Sequence, residues 1–474
     1  MKVKIFFIFL IAVFAFINVN CTNPFMEQIL DQKTVTFDSN GGSHVSSQTL
    51  IKGKTVRMPA DPQKIGNYFI GWYQDNGTFL NEWDFSIIPN RDITLYAKWV
   101  DINEGSNGED KPFLVYDVKT LKYVGRGNEN PEGYKGWTLS ANYEQIENID
   151  LTGTNWTPIG SPSNGSQPFT GTFNGNGYTI TGLNIVTEQY DSQQGMFGVI
   201  DTDGVVKNLA LVNCTVGGGA NYNIGGVAGI NNGTVISCSV SGNIIGGDTV
   251  GGVVGYNLGT VQNCYSTAAV NGGGNSIGGV VGNNEETVQN CYSAANVSGG
   301  DSDIGGVVGS NSGTVQNCYA TGTVSGGGIY IGGVVGNNSD TVQNCYAAGT
   351  VEGGDYVGGI VGYTDGAVMN CVALNTNIKT TGAGEHIGRV AYNASIDSYN
   401  YGNTDMMLND KKEEWTYPAL DGYDVSSSDY HREGWWKNEG TWIIEGSPFA
   451  WDFTGVWEWD SVAMLPKLRN VRGQ

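Results

Sequence analysis

Seven cysteines fall at nearly regular intervals through the middle of the sequence: Cys214, Cys238, Cys264, Cys291, Cys318, Cys345 and Cys371, with steps of 24, 26, 27, 27, 27 and 26 residues. Thiols in such numbers invite metal binding, disulfide formation or nucleophilic chemistry. A metal site needs ligands that converge on a point, whereas residues repeated at one period lie along a line, so no metal is expected. If the period is that of stacked coils, successive cysteines come within the Cα range of a disulfide. Their parallel side chains, however, hold the Cβ atoms at the long edge of bridging distance, and the number is odd. The expectation is a ladder of free, buried thiols, each behaving as a small apolar residue.

Acid–base chemistry is thinly supplied. Between Val205 and Tyr399 the only Lys and Arg residues are Lys207, Lys379 and Arg389. A polysaccharide lyase needs a base and cations for the developing carboxylate charge, and a hydrolase needs two carboxyl groups flanking one bond. The acids here, among them Asp248, Glu285, Glu286, Asp301, Asp303, Glu352 and Asp355, mostly sit beside glycine at predicted loop tips. The chain has three histidines, His44, His386 and His431, and no H-E-x-x-H. The expectation is a protein that binds rather than catalyses, without a cofactor. A polysaccharide-active enzyme is the alternative, and a non-binding spacer is a third.

The elements that position these residues follow from the repeat. Ile277-Gly278-Gly279-Val280-Val281-Gly282 recurs as Ile304 to Gly309 and Ile331 to Gly336, with variants at Ile224, Val250 and Val357. Each run is followed by a turn and a strand of the type Val315-Gln316-Asn317-Cys318-Tyr319. Three short β-prone runs in about 27 residues predict one solenoid coil per repeat, parallel to its neighbours at about 4.8 Å. Val280, Val288 and Val297 would then stack on Val307, Val315 and Val324. Glycine serves the corners, and Asn263, Asn290, Asn317 and Asn344 suit a bend position from which they can bond up the stack. Stacking also makes columns of Gln262, Gln289, Gln316 and Gln343, and of Tyr265, Tyr292, Tyr319 and Tyr346. Strand alternation points adjacent Cys and Tyr to opposite faces. The tyrosines then form either an outward aromatic ladder suited to sugar or protein contacts, or rings buried by a local bend. Both readings stand.

These runs resemble the GLUG-motif repeat of bacterial surface proteins. The lead-in is similar too, at Trp156-Thr157-Pro158-Ile159-Gly160, Phe169 to Tyr178 and Gly195-Met196-Phe197-Gly198, as is the closing Trp451-Asp452-Phe453. The resemblance implies a right-handed parallel β-helix over 113–400, all-β in class. Residues 401–474, rich in Trp (Trp415, Trp435, Trp436, Trp442, Trp451, Trp457, Trp459), are expected to cap its open end. Residues 34–100 carry a different pattern: Val35-Thr36-Phe37-Asp38-Ser39-Asn40-Gly41-Gly42, then Phe69-Ile70-Gly71-Trp72-Tyr73, then Ile93 to Trp99. This order resembles the internalin B-repeat, a small β-grasp-like module of cell-surface proteins. Its Trp72, Tyr73 and Trp99 are expected in the core. Residues 101–112 read as a linker.

The beginning of the chain addresses location. Lys2 and Lys4 precede an apolar run from Ile5 to Ile17, the form of a secretion signal over 1–20. Cys21 follows, in a setting that resembles a bacterial lipoprotein box, and 21–33 reads as a tether. The resemblance implies lipidation at Cys21, anchoring to the outer membrane or cell surface, and membrane contact only through the lipid. A formal charge of −22 disfavours nucleic acid and other polyanions as partners. The expected protein is a monomeric surface adhesin whose partner is a host extracellular matrix protein, mucin or glycan.

Overall fold

A computed structural model describes residues 32–101, 111–131, 134–162, 165–186, 192–219, 221–382, 386–392, 399–412, 422–442 and 451–474. The secretion signal, Cys21, most of the tether and of the linker, and Trp415 lie outside the described residues. The chain divides into two compact units, Met1–Glu104 and Gly105–Gln474.

In the first unit four strands, β1 (Lys33–Asp38), β2 (Gln48–Leu50), β3 (Asn67–Tyr73) and β4 (Ile93–Asp101), form one sheet in the order β2-β1-β4-β3. The two central strands run parallel and the outer two antiparallel. Alternation in β1 sends Val35 and Phe37 inward and Thr36 and Asp38 outward. Asn40 and Gly41, both at positive φ, make the turn that follows. Trp72 is the centre of the core, with the Phe37 ring at 4.8 Å and the Phe69 ring at 5.4 Å. Tyr73 is buried, and Trp99 is half-buried with its indole N–H donating to the Ser39 carbonyl at 2.8 Å. The sequence reading missed β2, which is too short to show a period.

The second unit is a parallel β-solenoid of about ten turns. One coil uses five short strands where the sequence suggested three: Ile277–Gly278, Val281–Asn284, Thr287–Gln289, Tyr292–Ser293 and Val297–Gly299. Their successors are in strict register one repeat on, so that Ile277 pairs with Ile304, Val281 with Val308, Val288 with Val315, Tyr292 with Tyr319 and Val297 with Val324. The apolar members of these columns, together with Val280 and Cys291, are at most 1 % exposed except for the Tyr pair. Each such Val or Ile side chain contributes about 1.5–3 kcal/mol, realised only when the next coil is present.

Two backbone constraints fix the coil's shape. A Cβ on Gly278 would lie 1.9 Å from the Val281 carbonyl oxygen, and the matching glycines 251, 305, 332 and 358 meet the same obstacle at 1.8–1.9 Å. The corner before each thiol lies in the left-handed region, with φ between 52° and 54° at Asn263, Asn290, Asn317, Asn344 and Asn370. Asparagine is the side chain that tolerates this conformation best after glycine. Its amides also bond from coil to coil, with Asn290 to Asn263 at 3.2 Å and Asn317 to Asn290 at 3.1 Å.

A second asparagine ladder runs through the interior and was not foreseen. The Nδ2 of Asn231, Asn257, Asn284 and Asn311 each donate to the Oδ1 of the next at 2.7–2.8 Å, and all five members through Asn338 are at most 1 % exposed. Each amide also donates to a turn carbonyl two residues on, as Asn311 does to Gly313 at 2.7 Å. The column ends when Asn338 donates to the Thr364 hydroxyl at 3.0 Å.

The ends are closed differently. At the start, α1 (Val118–Tyr123), capped by Asp117 accepting from the Thr120 amide at 2.7 Å, lays Leu121 over a core of Phe113, Trp137, Tyr143 and Phe169. At the finish, Arg389 takes a position where earlier coils have Gly279, Gly306, Gly333 and Gly359. In those coils a Cβ would strike the carbonyl of the coil above, at 2.0–2.2 Å. Among the described residues no complete coil lies above it, and the Arg389 side chain is 1 % exposed and donates to Asp424 at 2.8 Å and to the Gly422 carbonyl at 2.9 Å.

Asn311→Ala leaves the Asn284 amide without its acceptor and Asn338 Oδ1 without its donor in a dry interior. It should lower the stability of the solenoid by about 2–4 kcal/mol in chemical denaturation. Asn311→Thr, which reproduces the hydroxyl found at Thr364, should lose clearly less.

Candidate binding surface

The thiol column is interior and free of disulfides, but it begins one residue type later than the spacing suggested. Cys238, Cys264, Cys291, Cys318, Cys345 and Cys371 are stacked and fully buried, with free thiols. Cys214 is buried on another strand, opposite Gly242, and Leu209 fills the ladder position of its coil, after Asn208 at φ 53°. The 24-residue step was the sign of this: that coil is longer, and the nearest cysteine is out of phase. The ladder is more than apolar filling. Each stacked thiol donates to the carbonyl two residues earlier, as Cys264 does to Gln262 at 3.1 Å, and Cys264, Cys318 and Cys345 each accept an amide from the preceding coil at 3.4 Å. At the last step the acceptor is Asn400 Oδ1, 2.9 Å from the Cys371 amide. Burial pushes the thiols at 238, 264, 291 and 345 well up, and Cys214 to about 12, so these side chains stay protonated and unreactive.

The tyrosine column does point outward from the coils, yet most of it is not a free surface. The rings of Tyr265, Tyr292, Tyr319 and Tyr346 stack in parallel at 4.7–5.0 Å with interplanar angles of 2–6°. Tyr292, Tyr319 and Tyr346 are only 2–6 % exposed. No local bend buries them; the chain's own C-terminal segment does. Trp457 lies 6.2 Å from both Tyr319 and Tyr346, and Trp436 and Trp451 close on Tyr346. The hydroxyls are taken as well: Tyr292 donates to the Arg472 carbonyl at 3.1 Å, Tyr319 to Gln474 at 2.8 Å and Tyr346 to the Pro466 carbonyl at 2.8 Å. Trp451 in turn donates to the Asn370 carbonyl at 3.1 Å.

The Trp-rich region therefore acts as a strap along the solenoid flank. The end that the Trp-rich residues were expected to cap is met instead by Tyr401–Asn403 and Tyr423–Val425, which extend the long sheet beyond the last coil. The stacked outward rings give the tryptophans a contiguous apolar flank to pack on. Where the Tyr column gives way to Ser239 the strap leaves a polar cavity of about 170 Å³, lined by Ser237, Asn263, Tyr265, Asn470 and Arg472 among others.

Aromatic side chains that the strap does not touch gather on other sheets, in the last coils. At one left-handed corner the column reads Asn223, Thr249, Ser276, Asp303, Tyr330, Tyr356, with φ of 51–63°, and His386 follows it. In the neighbouring outward column Asn283, Ser310 and Asn337 are followed by Tyr363 and Tyr392. Five half-exposed rings result. Tyr356 stacks on His386 at 4.3 Å and 4°, Tyr330 lies 5.0 Å from Tyr363, and Tyr392 lies 5.1 Å from Tyr356. Sequence reading passed over this cluster because it looked for agreement between repeats, and these residues are departures from it.

Carboxylates rim the cluster. His386 Nδ1 sits 3.0 Å from Asp355, and the Tyr363 hydroxyl donates to Asp365 at 2.8 Å. Desolvation would raise the Asp355 carboxyl, but hydrogen bonds from His386 and the Tyr356 amide outweigh it and hold it below its ordinary value. Asp303 is the opposite case: burial drives it up to about 6 despite a hydrogen bond from Asn337. Elsewhere on the solenoid Glu285 accepts from the Tyr256 hydroxyl and Asp248 from the Asn275 amide at 2.8 Å, which makes them turn and surface partners. Among the described residues no group of three or more His, Cys, Asp or Glu side chains is arranged to hold a metal ion.

The Asp303 shift has a stability consequence. Between its ordinary value of 3.8 and about 6 the native state holds a proton that the unfolded chain has released. The penalty is absent below the unfolded value and complete above about pH 6. Asp303→Asn, which keeps a side chain suited to the left-handed corner, should therefore stabilise the protein at pH 7.5 by about 1–3 kcal/mol and by little at pH 4, as read by chemical denaturation at both pH values.

With this geometry in place, comparison with known proteins gives both units relatives. Residues 34–98 match the Listeria-Bacteroides repeat domain, and residues 246–271, 300–325 and 327–352 match the GLUG motif. A candidate membrane protein of Evansella cellulosilytica is 33% identical over 30% of this chain and 22% of its own length. Halomucin of Haloquadratum walsbyi is 33% identical over 35% of this chain and 2% of its own length. Internalin H of Listeria monocytogenes is 35% identical over 17% of this chain and 15% of its own. The chain thus spans less than a quarter of each of these relatives. A solved structure, a candidate immunoglobulin A1 protease of Bacteroides ovatus, covers 78% of this chain and 95% of its own at 18% identity with a TM-score of 0.38, too low to carry an argument. The chain carries a Listeria-Bacteroides repeat domain followed by a β-solenoid that contains GLUG motifs.

Proposed function

We propose that this chain is a bacterial surface lipoprotein that acts as an adhesin, binding a host matrix protein, mucin or glycan without chemical turnover. The observation that carries the reading is the pairing of a Listeria-Bacteroides repeat with a GLUG-containing solenoid, a combination of modules similar in parts to Internalin H, Halomucin and a candidate membrane protein. Anchoring would come from secretion and lipidation at Cys21. Among the described residues no helix is long and apolar enough to cross a membrane. The architecture suits the role: a stack of coils held rigid by buried ladders presents side chains in fixed columns, and rigid presentation lowers the entropy lost on binding. The acidic surface, with a formal charge of −22, keeps it from polyanions.

The test is a binding panel of the full chain against matrix proteins, mucins and glycans, scoring both retention and released product. Saturable retention without product is expected. Product release would replace the reading with a polysaccharide-active enzyme, and the absence of both signals would leave a spacer.

A further inference from the structure

We infer that the aromatic cluster of Tyr330, Tyr356, Tyr363, His386 and Tyr392 is a binding site for a neutral, uncharged glycan, a deepening that rests on the adhesin reading. The first argument is conformational. Earlier coils fill the left-handed corner with Asn223, Thr249, Ser276 and Asp303, mostly the short polar side chains that such a φ admits. Tyr330 at φ 63° and Tyr356 at φ 51° stand there instead. A bulky aromatic in this region is disfavoured, and both rings keep part of their surface open to solvent. The left-handed corner itself gives no reason for the substitution; a role for the rings at the surface does.

The second argument is the coincidence of two columns. In the adjacent outward column Tyr256 is followed by Asn283, Ser310 and Asn337, and tyrosine returns as Tyr363 and Tyr392 over the same coils as Tyr330 and Tyr356, so that four tyrosines and a histidine meet within centroid distances of 4.3–5.8 Å. Rings of this kind present faces of apolar CH-binding character with a polar edge, which is the surface a pyranose needs. Tyr356 lies flat on His386 at 4°, while Tyr363 and Tyr392 stand nearly perpendicular to Tyr356 at 88° and 82°, giving a platform with walls.

The third argument is charge, which selects the ligand. Asp355 and Asp365 are the polar groups beside the rings, and both are acceptors for sugar hydroxyls. Among the described residues no Lys or Arg lies on the strands that carry these rings. Lys379 is paired with Asp410 at 2.9 Å, Arg389 is buried against Asp424, and Lys207 lies on another sheet. A sulfated, sialylated or uronic acid glycan would meet carboxylates with no counter-charge, so a glycan rich in hydroxyls and free of anionic groups fits. Tyr292, Tyr319 and Tyr346 under the strap cannot compete for this role, because their rings and hydroxyls are already occupied.

The experiment compares the full chain with Tyr330→Asn/Tyr356→Asn, which restores the short polar type of the earlier coils, and with Asp355→Ala. Chitohexaose, mannohexaose and maltohexaose serve as neutral probes, heparin and polysialic acid as anionic ones, and thermal unfolding is followed in parallel. Saturable binding of a neutral probe is expected, weakened at least tenfold in the Tyr330→Asn/Tyr356→Asn variant while its melting temperature is unchanged or higher. Binding that survives in that variant would overturn the site while leaving the adhesin reading intact. Preference for the anionic probes would overturn the ligand class, and a melting temperature lowered by several degrees would show the tyrosines to be structural. Retention of matrix proteins with no glycan bound at all would overturn the inference alone.

Discussion

A buried asparagine amide has two donors and an acceptor to satisfy, and inside this solenoid the partner it meets is the same residue one coil away. Asn257 accepts from Asn231 and donates to Asn284, and the chain of bonds continues through Asn311 to Asn338. An unsatisfied member would cost about 1–3 kcal/mol, so a one-residue slip of any coil is penalised at once by lost apolar burial and by a broken polar ladder. This constraint explains why the repeat is kept down to Val-Gly-x-Asn and Thr-Val-Gln. The thiol column obeys the same logic in a weaker form. Its cysteines give the amides of Cys238, Cys291 and Cys318 an acceptor at a corner where Val would give none, and Asn400 supplies the acceptor for Cys371 where the cysteines stop.

Once register is fixed, departures from the repeat become informative. Some answer to the loss of a neighbour: Arg389 is admitted because, among the described residues, no complete coil lies above it, and Thr364 ends the amide ladder with a hydroxyl. Others answer to the strap, which needs a flat aromatic flank and finds it in the stacked tyrosines. The tyrosines at 330, 356, 363 and 392 answer to neither. They lie on sheets away from the strap; Tyr330, Tyr356 and Tyr363 have a paired strand on each side, Tyr392 is on the last strand of its sheet, and the first two occupy a backbone conformation that suits them poorly. A protein whose interior is repetitive can only carry specificity where its surface is not.

Much of the fold was legible in the sequence because a solenoid writes its contacts locally. The 27-residue step named the coil, and the stacking of Val288 on Val315 followed from counting. The left-handed asparagines before the thiols could be read from residue type alone. What could not be read depends on contacts without a period. Asn283 and Asn284 are neighbours of one kind, and only the observed register shows that the second is buried and the first outside. Cys214 looked like a ladder member because counting from cysteine to cysteine hides a longer coil. The strap joins Trp457 to Tyr319 across more than a hundred residues, and composition pointed the tryptophans to the open end rather than to the flank. The free aromatic cluster was visible in principle as four tyrosines that break the repeat, but only against columns that were already aligned.

The central claim is that the strap seals one tyrosine column and leaves another aromatic surface free. Hydroxyl-radical footprinting of the full chain, read residue by residue by mass spectrometry, tests it directly. Tyr330, Tyr356, Tyr363 and Tyr392 should be oxidised readily, while Tyr292, Tyr319 and Tyr346 should be protected until the protein is denatured. Rapid oxidation of Tyr292, Tyr319 and Tyr346 in the native protein would contradict the account, because the strap would then not lie where the structure places it.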